Sequence, residues 1–212
     1  MNVVPIEDLR LITDALALGF CNTQTLTADG TVDLEGLTEF ADLLHWAEAV
    51  GCLSESEREQ LKAGARSDPA GATSVFSEAI ALREVIRGIF TRLASGATPE
   101  AADLAALRDA ETGALRNGEL EAGPDGYAWR WTSAAGLALP LHRITHAAVE
   151  LLMHANVGRI KQCSGCSFLF LDESKNGSRR WCSMLDCGAD DKARRYVARR
   201  AATRRQASGG FA

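Results

Sequence analysis

Four of the six cysteines in this 212-residue chain fall close together near its C-terminal end. The spacing is Cys163-x2-Cys166, then fifteen residues, then Cys182-x4-Cys187. Two short cysteine pairs separated by such a spacer are typical of a tetrahedral zinc site, and redox-active thiols are the alternative. Four thiolates leave zinc no open position for water, so the pattern predicts Zn²⁺ in a structural role with no catalytic one.

The other two cysteines, Cys21 and Cys52, are solitary and lie in apolar segments. A free cysteine in such surroundings behaves as a small hydrophobic residue. Both are therefore predicted to be core residues, unconnected with the metal.

Basic residues concentrate around and after the cysteine cluster. The net charge of −5 and pI near 5.4 argue against a nucleic-acid partner. However, residues 1–157 carry −12 and residues 158–212 carry +7. Such asymmetry indicates an acidic body with a basic end that seeks anions. The candidate DNA-contacting residues are Lys175, Arg179, Arg180, Lys192, Arg194, Arg195 and Arg199.

A structural explanation of the same charge remains open. Zinc with four thiolates carries −2, so Arg179 and Arg180 could neutralise the metal site. Other basic residues could dock onto the acidic body. Of the aromatic residues nearby, Trp181 and Tyr196 are expected to pack within the protein and not to stack on bases.

The elements that must position these residues are mainly helical. Helical spacing of apolar residues predicts helices over 36–50, from a Ser54-x-x-Glu57 capping box to about residue 65, after a break at Asp68-Pro69, and over 139–156. A further helix is predicted with Thr98 as its N-cap and Pro99 as its first residue. Alternation at 127–131 predicts a small antiparallel β-hairpin or sheet. A last helix is expected over about 192–205, and the fold class is mainly α with some β (α+β).

The chain divides most naturally into two parts, a helical domain over 1–157 and a zinc module over 158–212. No apolar run approaches the length that crosses a bilayer, and the start has no secretory signal pattern, so a soluble cytoplasmic protein without a membrane partner is expected. No motif of a common enzyme class is present. The sequence does not determine the oligomeric state.

Two histidines and two arginines in the body are candidates for a metal site and an anion site, respectively. His142 and His146 have the spacing of zinc ligands but lack the glutamate between them, so capping, hydrogen-bonding or surface roles are expected. Arg83 and Arg87 share one face of the long helix. They could bind an anion in a pocket, but surface ion pairs are the favoured interpretation.

A longer set of residues resembles the CGNR zinc finger family. The resemblance rests on Cys163-x2-Cys166, Phe170-x-Asp172-x-Ser174-x-Asn176, Ser178-Arg179-Arg180-Trp181-Cys182, Cys187-Gly188 and Lys192-Ala193-Arg194-Arg195. In the body, Phe20-Cys21-Asn22-Thr23 and Leu82-Arg83-Glu84 resemble the N-terminal ABATE domain of these bacterial proteins. The resemblance implies zinc on the four cysteines, DNA as the finger's target, a role in stress-induced transcription regulation, and a sensing domain that binds an unidentified small-molecule effector.

One departure from that family bears on DNA binding. After the fourth cysteine the family has Gly-Asn-Arg, whereas this chain has Gly188-Ala189-Asp190. Because aspartate repels phosphate where arginine binds it, the change is expected to weaken or retarget DNA binding without disturbing the zinc ligands.

These observations lead to a hypothesis of a non-enzymatic, DNA-binding transcription regulator. The alternative is a zinc-stabilised protein–protein interaction module that does not bind DNA. An enzyme, the third possibility, would need a pocket around Asn22, Thr23 and Arg83, which is also the candidate ligand pocket for an effector.

Overall fold

The computed structural model describes residues 2–11, 15–27, 29–123 and 126–208. The helices of this part of the chain are α1 (Leu16–Cys21), α2 (Phe40–Ala49), α3 (Glu55–Ser67), α4 (Pro69–Ala94), α5 (Ala101–Arg116), α6 (Leu139–His154) and α7 (Cys187–Ser208). The strands are β1 (Asn2–Val3), β2 (Gln24–Leu26), β3 (Val32–Glu35), β4 (Glu119–Gly123), β5 (Gly126–Arg130), β6 (Ile160–Gln162) and β7 (Leu169–Leu171). The predicted fold class, mainly α with small antiparallel sheets, is confirmed.

The local signals that begin α3 and α4 act as the sequence indicates. The Ser54 hydroxyl accepts a hydrogen bond from the Glu57 amide, and the Glu57 carboxylate accepts one from the Ser54 amide, which completes the capping box. The Asp68 carboxylate caps the amide of Gly71, and Pro69 occupies the first helical position.

Helix α4 is the central element of the body. It contacts α1, α2, α3, α5 and α6, and its buried face includes Ala79, Ile86, Ile89 and Phe90. Both solitary cysteines, Cys21 and Cys52, lie in this core as predicted. Burial of this apolar surface is the main force holding the helices together.

A small three-stranded sheet near the N-terminus was not predicted. Its strand order is β1-β3-β2, with β1 parallel and β2 antiparallel to β3. The strands have two to four residues. Strands β1 and β2 are too short to show a strand period, which is recognisable only over about four to eight residues, and the alternation of β3 spans just the minimum of four.

The predicted hairpin around residues 127–131 is confirmed as β4 paired antiparallel with β5. Its strand residues are almost all exposed, whereas Trp131, directly after β5, is buried and donates from its indole nitrogen to the carbonyl oxygen of Ala114 at 2.7 Å. Trp131 thereby fixes one end of the hairpin to α5.

Two predicted helix starts were wrong. Helix α5 begins at Ala101 and not at Pro99, because Arg92 donates to the Thr98 carbonyl oxygen at 2.6 Å and pairs with Glu100, which holds the intervening backbone outside the helix. Helix α7 begins at Cys187 and not near Lys192. The fourth cysteine is therefore part of the helix itself.

The C-terminal module packs directly on the body. Its strands β6 and β7 contact α4, and the side chains of Ile160 and Leu169 are buried in the same hydrophobic cluster as the body helices. A second, smaller cluster surrounds the four cysteines and includes Phe168 and Phe170. Within the described ranges, no helix combines the length and the apolar character that a membrane span requires.

Candidate metal centre and basic surface

The four cysteines Cys163, Cys166, Cys182 and Cys187 converge in space. Their sulfur atoms all lie within 4.8 Å of one another; Cys166 and Cys182 are 3.6 Å apart, and Cys182 and Cys187 are 3.8 Å apart. Four sulfurs held tetrahedrally at about 2.3 Å from zinc are about 3.8 Å from each other. The donor set and its spacing therefore fit Zn²⁺, which cross-links the β6–β7 turn, the following loop and the start of α7.

The backbone around the cysteines supports this arrangement. The amides of Gly165 and Cys182 donate to the Cys163 sulfur at 3.4 and 3.3 Å. A Cβ atom at position 165 would lie 3.0 Å from the Cβ of Cys187, so the close approach of the turn to α7 requires glycine there. Hydrogen bonds from Cys166 and Cys182 lower the pKa of the Cys163 thiol, whereas the same contacts with Cys163 raise the pKa of Cys166 and Cys182.

An arginine that the sequence analysis did not select completes the site. The guanidinium of Arg10 lies 3.4 Å from the sulfurs of Cys166 and Cys182 and 3.6 Å from that of Cys187. Burial alone would lower the pKa of Arg10, but its hydrogen bond to Cys187 and the nearby thiolates raise it. No sequence signal identifies Arg10, because it is separated from the cysteines by more than 150 residues.

The loop between β7 and Cys182 is organised by a buried carboxylate. Asp172 is fully buried and accepts hydrogen bonds from Lys161, from the amide and hydroxyl of Ser174, and from the amide of Arg179. Although burial raises the pKa of Asp172, the hydrogen bond from Lys161 and the others lower it overall. Asp172 therefore ties the loop together through its backbone amides at Ser174 and Arg179 and links it to Lys161 in β6.

The basic residues proposed for DNA fall into two groups. Arg179 donates to the carbonyl oxygens of Trp181 and Cys182 and lies over the Phe170 ring at 4.7 Å, so it stabilises the finger itself. The others are exposed: Lys175, Arg180, Lys192, Arg194, Arg195 and Arg199. Residues 192–200 of α7 are exposed on every side, so this part of the helix projects from the protein.

The two aromatic residues near the basic surface differ. Trp181 packs against the cysteine cluster as predicted, with the guanidinium groups of Arg180 and Arg195 at 5.2 and 5.9 Å from its ring centroid. Tyr196 is 61% exposed, so the prediction that it packs within the protein was wrong. The reason is that, among the described residues, residues 192–200 of α7 are exposed on every side.

Asn22, Thr23 and Arg83 come together as expected, but in the interior. The Arg83 guanidinium donates to the Thr23 hydroxyl at 2.9 Å and to both carboxylate oxygens of Glu35 at 2.7 and 2.6 Å. Asn22 exchanges two hydrogen bonds with the backbone of Leu169 in β7. All three side chains are less than 5% exposed, and they join the helices, the sheet and the finger where an open pocket was expected.

The expectation that Arg83 and Arg87 form surface pairs was wrong. Arg83 is 1% exposed, and Arg87 is also buried, where it donates to the carbonyl oxygen of Cys21. Buried hydrogen-bond acceptors lie at the end of α1, in the turn after it and in β3, and each of them needs a donor. Both arginines face inward because their guanidinium groups supply those donors. Glu35 is that acceptor in the sheet, and sequence reasoning missed it.

Open cavities lie elsewhere in the body. One of about 710 Å³ is lined by side chains including Trp129, Trp131, Arg143 and His146. The ring of His146 hydrogen-bonds to Glu111 at 2.7 Å, in keeping with its expected hydrogen-bonding role. A second cavity of about 450 Å³ lies between α4, α5 and α6 and includes His142, whose pKa is lowered by burial.

Comparison with protein families agrees with this architecture. A sequence model of the ABATE family, described as "Putative stress-induced transcription regulator", matches residues 14–155, about two thirds of the chain. The chain belongs to the ABATE family. The CGNR zinc finger model matches residues 159–200, which include the four cysteines and the exposed start of α7. A comparison with curated proteins found no match.

The departure from the CGNR signature lies in the first turn of α7. Ala189 and Asp190 are exposed, and the Asp190 amide donates to the carbonyl oxygen of Asp186. Acidic side chains are favourable in a first helical turn because the unpaired amides there carry partial positive charge. Asp190 is therefore compatible with the helix, while it places negative charge beside the basic surface of the CGNR finger.

Proposed function

We propose that this ABATE protein is a non-enzymatic, DNA-binding transcription regulator that acts in the cytoplasm. The observation that carries the proposal is the exposed basic segment of α7, which begins directly at a zinc ligand. At 100° per residue, Lys192, Arg195 and Arg199 lie within about 60° of one another around the helix. All three side chains are exposed, which suits contact with phosphate groups.

The attachment of α7 to the candidate zinc site supports this function. Cys187 is the first residue of α7 and one of the four cysteines that together fit zinc, so the metal would fix the direction in which the basic row points. Arg180 and Lys175, both exposed, extend the positive surface onto the finger. Asp191 forms an ion pair with Arg195 and so reduces the net positive charge of the row. We therefore expect a modest affinity for DNA.

The body of the protein would supply the regulatory signal. We propose that a small-molecule effector binds in the 710 Å³ cavity that contains Trp129, Trp131 and His146, because the interior around Asn22 and Arg83 is already filled by hydrogen bonds within the protein. The stress response named in the family description would then act through this cavity. Titrating candidate effectors against Trp129 and Trp131 fluorescence tests the assignment, and a response retained after Trp129→Ala and Trp131→Phe would contradict it.

A salt titration of DNA binding tests the main proposal. For the wild type, the logarithm of affinity should fall steeply with the logarithm of salt concentration, since phosphate contacts release counterions. Replacing Lys192, Arg195 and Arg199 together by Gln should reduce the slope by about two to three, since each phosphate contact contributes about 0.9.

The matched control replaces an exposed lysine of the body, Lys62→Gln, and should leave the slope unchanged. Several duplexes of different composition are needed because the target sequence is unknown. Absence of any complex at about 50 mM salt, where phosphate contacts are strongest, would refute the proposal.

A protein partner is the second candidate, and a specific observation favours it. Four large apolar side chains around the finger and α7 are exposed: Met184, Leu185, Tyr196 and Val197. Large apolar side chains that stay exposed in one small module are compatible with a protein–protein contact. If this module binds a protein and not DNA, Leu185→Ser and Val197→Ser should abolish partner capture, whereas neutralising Lys192, Arg195 and Arg199 should not alter any residual DNA binding.

A further inference from the structure

Arg10 connects the N-terminal segment of the body to the sulfur atoms of the finger. One of its terminal nitrogens lies 3.4 Å from the sulfurs of both Cys166 and Cys182, and the other lies 3.6 Å from the sulfur of Cys187. The same guanidinium is 3.7 Å from the Asp186 carboxylate and lies over the Phe168 ring at 4.8 Å.

The charge of the loaded site accounts for this contact. Zinc with four thiolates carries −2, and the positive charge of Arg10 offsets half of it. Guanidinium suits the task because it is planar, keeps its charge at all physiological pH values, and presents several donors in a fixed fork. In this chain position 190, three residues after the last cysteine, is Asp, and Arg10 brings a positive charge from the body to the sulfur atoms.

The body holds Arg10 in place through its neighbours in the chain. Ile6 is buried in the main core, and Leu9 packs against that core. A Cβ atom at Gly36 would lie 2.4 Å from a methyl carbon of Leu9, so the segment presses closely on the end of β3. The chain segment that carries Arg10 is therefore held by packing against the body, while its guanidinium contacts the finger.

Two further contacts join the same surfaces. The Asn22 side chain hydrogen-bonds to both the amide and the carbonyl oxygen of Leu169, and the Leu26 amide donates to the Ser167 hydroxyl at 2.8 Å. Leu169 and Ser167 lie just after Cys166 in the chain. We propose that Arg10 is an outer-shell partner of the zinc thiolates and that it couples retention of zinc in the finger to docking of the finger on the body.

This coupling is reciprocal. If docking stabilises the loaded zinc site, then loss of zinc must weaken docking by the same factor. The inference does not depend on DNA binding, because it concerns only the contact between the two parts of this chain.

Zinc retention by the full-length chain tests the proposal. Zinc transfer to a colorimetric chelator should be about 10- to 100-fold more favourable from Arg10→Met than from the wild type, as is typical when an outer-shell partner of a metal ligand is removed. Arg10→Lys keeps the charge but loses the fork and should lie between them. Arg108→Met, which removes an exposed arginine paired with its neighbour Asp109, is the matched control and should behave as wild type.

Stability measured with and without zinc separates this role from ordinary packing. Arg10→Met should lower the unfolding midpoint of the zinc-loaded protein but change that of the metal-stripped protein little, since neutral thiols attract a cation weakly. Asn22→Ala, which loosens docking without touching a sulfur, should also speed zinc loss. Equal destabilisation of both forms by Arg10→Met, or wild-type zinc retention by Arg10→Met, would overturn the proposal; if Arg10→Met does not fold, Arg10→Lys with wild-type zinc retention would do so.

Discussion

The side-chain amide of Asn22 satisfies both backbone groups of Leu169. Its nitrogen donates to the Leu169 carbonyl oxygen at 2.8 Å, and its oxygen accepts from the Leu169 amide at 2.9 Å. Asn22 follows α1 of the ABATE domain, whereas Leu169 begins β7 of the zinc finger. An asparagine considered as a ligand-pocket residue is thus a clamp between the two parts of the chain.

Removing this clamp should destabilise the protein. Asn22→Ala leaves a buried amide and a buried carbonyl group of Leu169 without partners, and each such group costs about 1–3 kcal/mol. We expect a loss of about 2–4 kcal/mol in the free energy of unfolding, measured by urea denaturation of the zinc-loaded chain. Asn117→Ala, at an exposed asparagine after α5, is the control; equal effects of the two changes would contradict this interpretation.

The buried pair between Arg83 and Glu35 should be more sensitive to single changes. Arg83→Met leaves the Glu35 carboxylate uncompensated in the interior, and breaking a buried ion pair costs about 3–5 kcal/mol. Replacing both residues, Arg83→Met with Glu35→Gln, should cost less than the sum of the single changes, because no unpaired charge remains.

Urea unfolding of these variants measures the coupling. Arg108→Met, at an exposed pair with Asp109, should change stability by less than about 0.5 kcal/mol. Simple additivity of the Arg83 and Glu35 changes would show that the pair does not act as a unit.

The pair of Glu57 with Arg143 predicts a dependence of stability on pH. Hydrogen bonds from Arg143, at 2.6 and 3.0 Å, lower the pKa of Glu57 from 4.5 to about 2. A carboxyl group whose pKa is lowered by folding stabilises the protein fully above its unfolded pKa of 4.5, and this stabilisation is lost as pH falls towards 2.

Comparison with Glu57→Gln isolates this effect. The wild type should exceed the variant in unfolding free energy by a constant amount above about pH 5, and the difference should shrink below it. Zinc loss in acid affects both proteins and cancels in the difference. Glu150→Gln, at a more exposed carboxylate, should show little such trend; a Glu57 difference independent of pH down to about 3 would count against the pair.

Removal of zinc should affect the body as well as the finger. Chelation should change the fluorescence of Trp181, which packs against the cysteines, and increase amide exchange at Leu169. Because Ile160 and Leu169 lie in the core shared with the body, we also expect the unfolding midpoint of the whole chain to fall by about 10 °C or more, at about 2–4 °C for each kcal/mol lost. Re-addition of zinc should restore both signals; an unchanged midpoint for the body helices would show that the finger is energetically separate.

The features that were predicted correctly depend on local patterns. The cysteine spacing identified the metal ligands because each pair lies within one turn, and a turn of two to four residues brings its own sulfurs together. Helices such as α3 and α6 were recognisable because their caps and apolar stripes are repeated along the segment itself. The basic face of α7, formed by Lys192, Arg195 and Arg199, likewise depends on local spacing, because residues three and four positions apart share one side of a helix.

The tertiary structure decided how distant residues are paired. No local sequence pattern indicates that Arg10 contacts the cysteine sulfurs or that Asn22 hydrogen-bonds to the backbone of Leu169. The same is true of the hydrogen bonds that Glu35 accepts from both terminal nitrogens of Arg83. A buried polar or charged group must find a partner, but the packing of α1, α4 and the small sheet selects which one. The sequence alone therefore identified the zinc ligands, the helices and the family. The contact surface between body and finger was decided by the tertiary structure, because it depends on residues up to 177 positions apart.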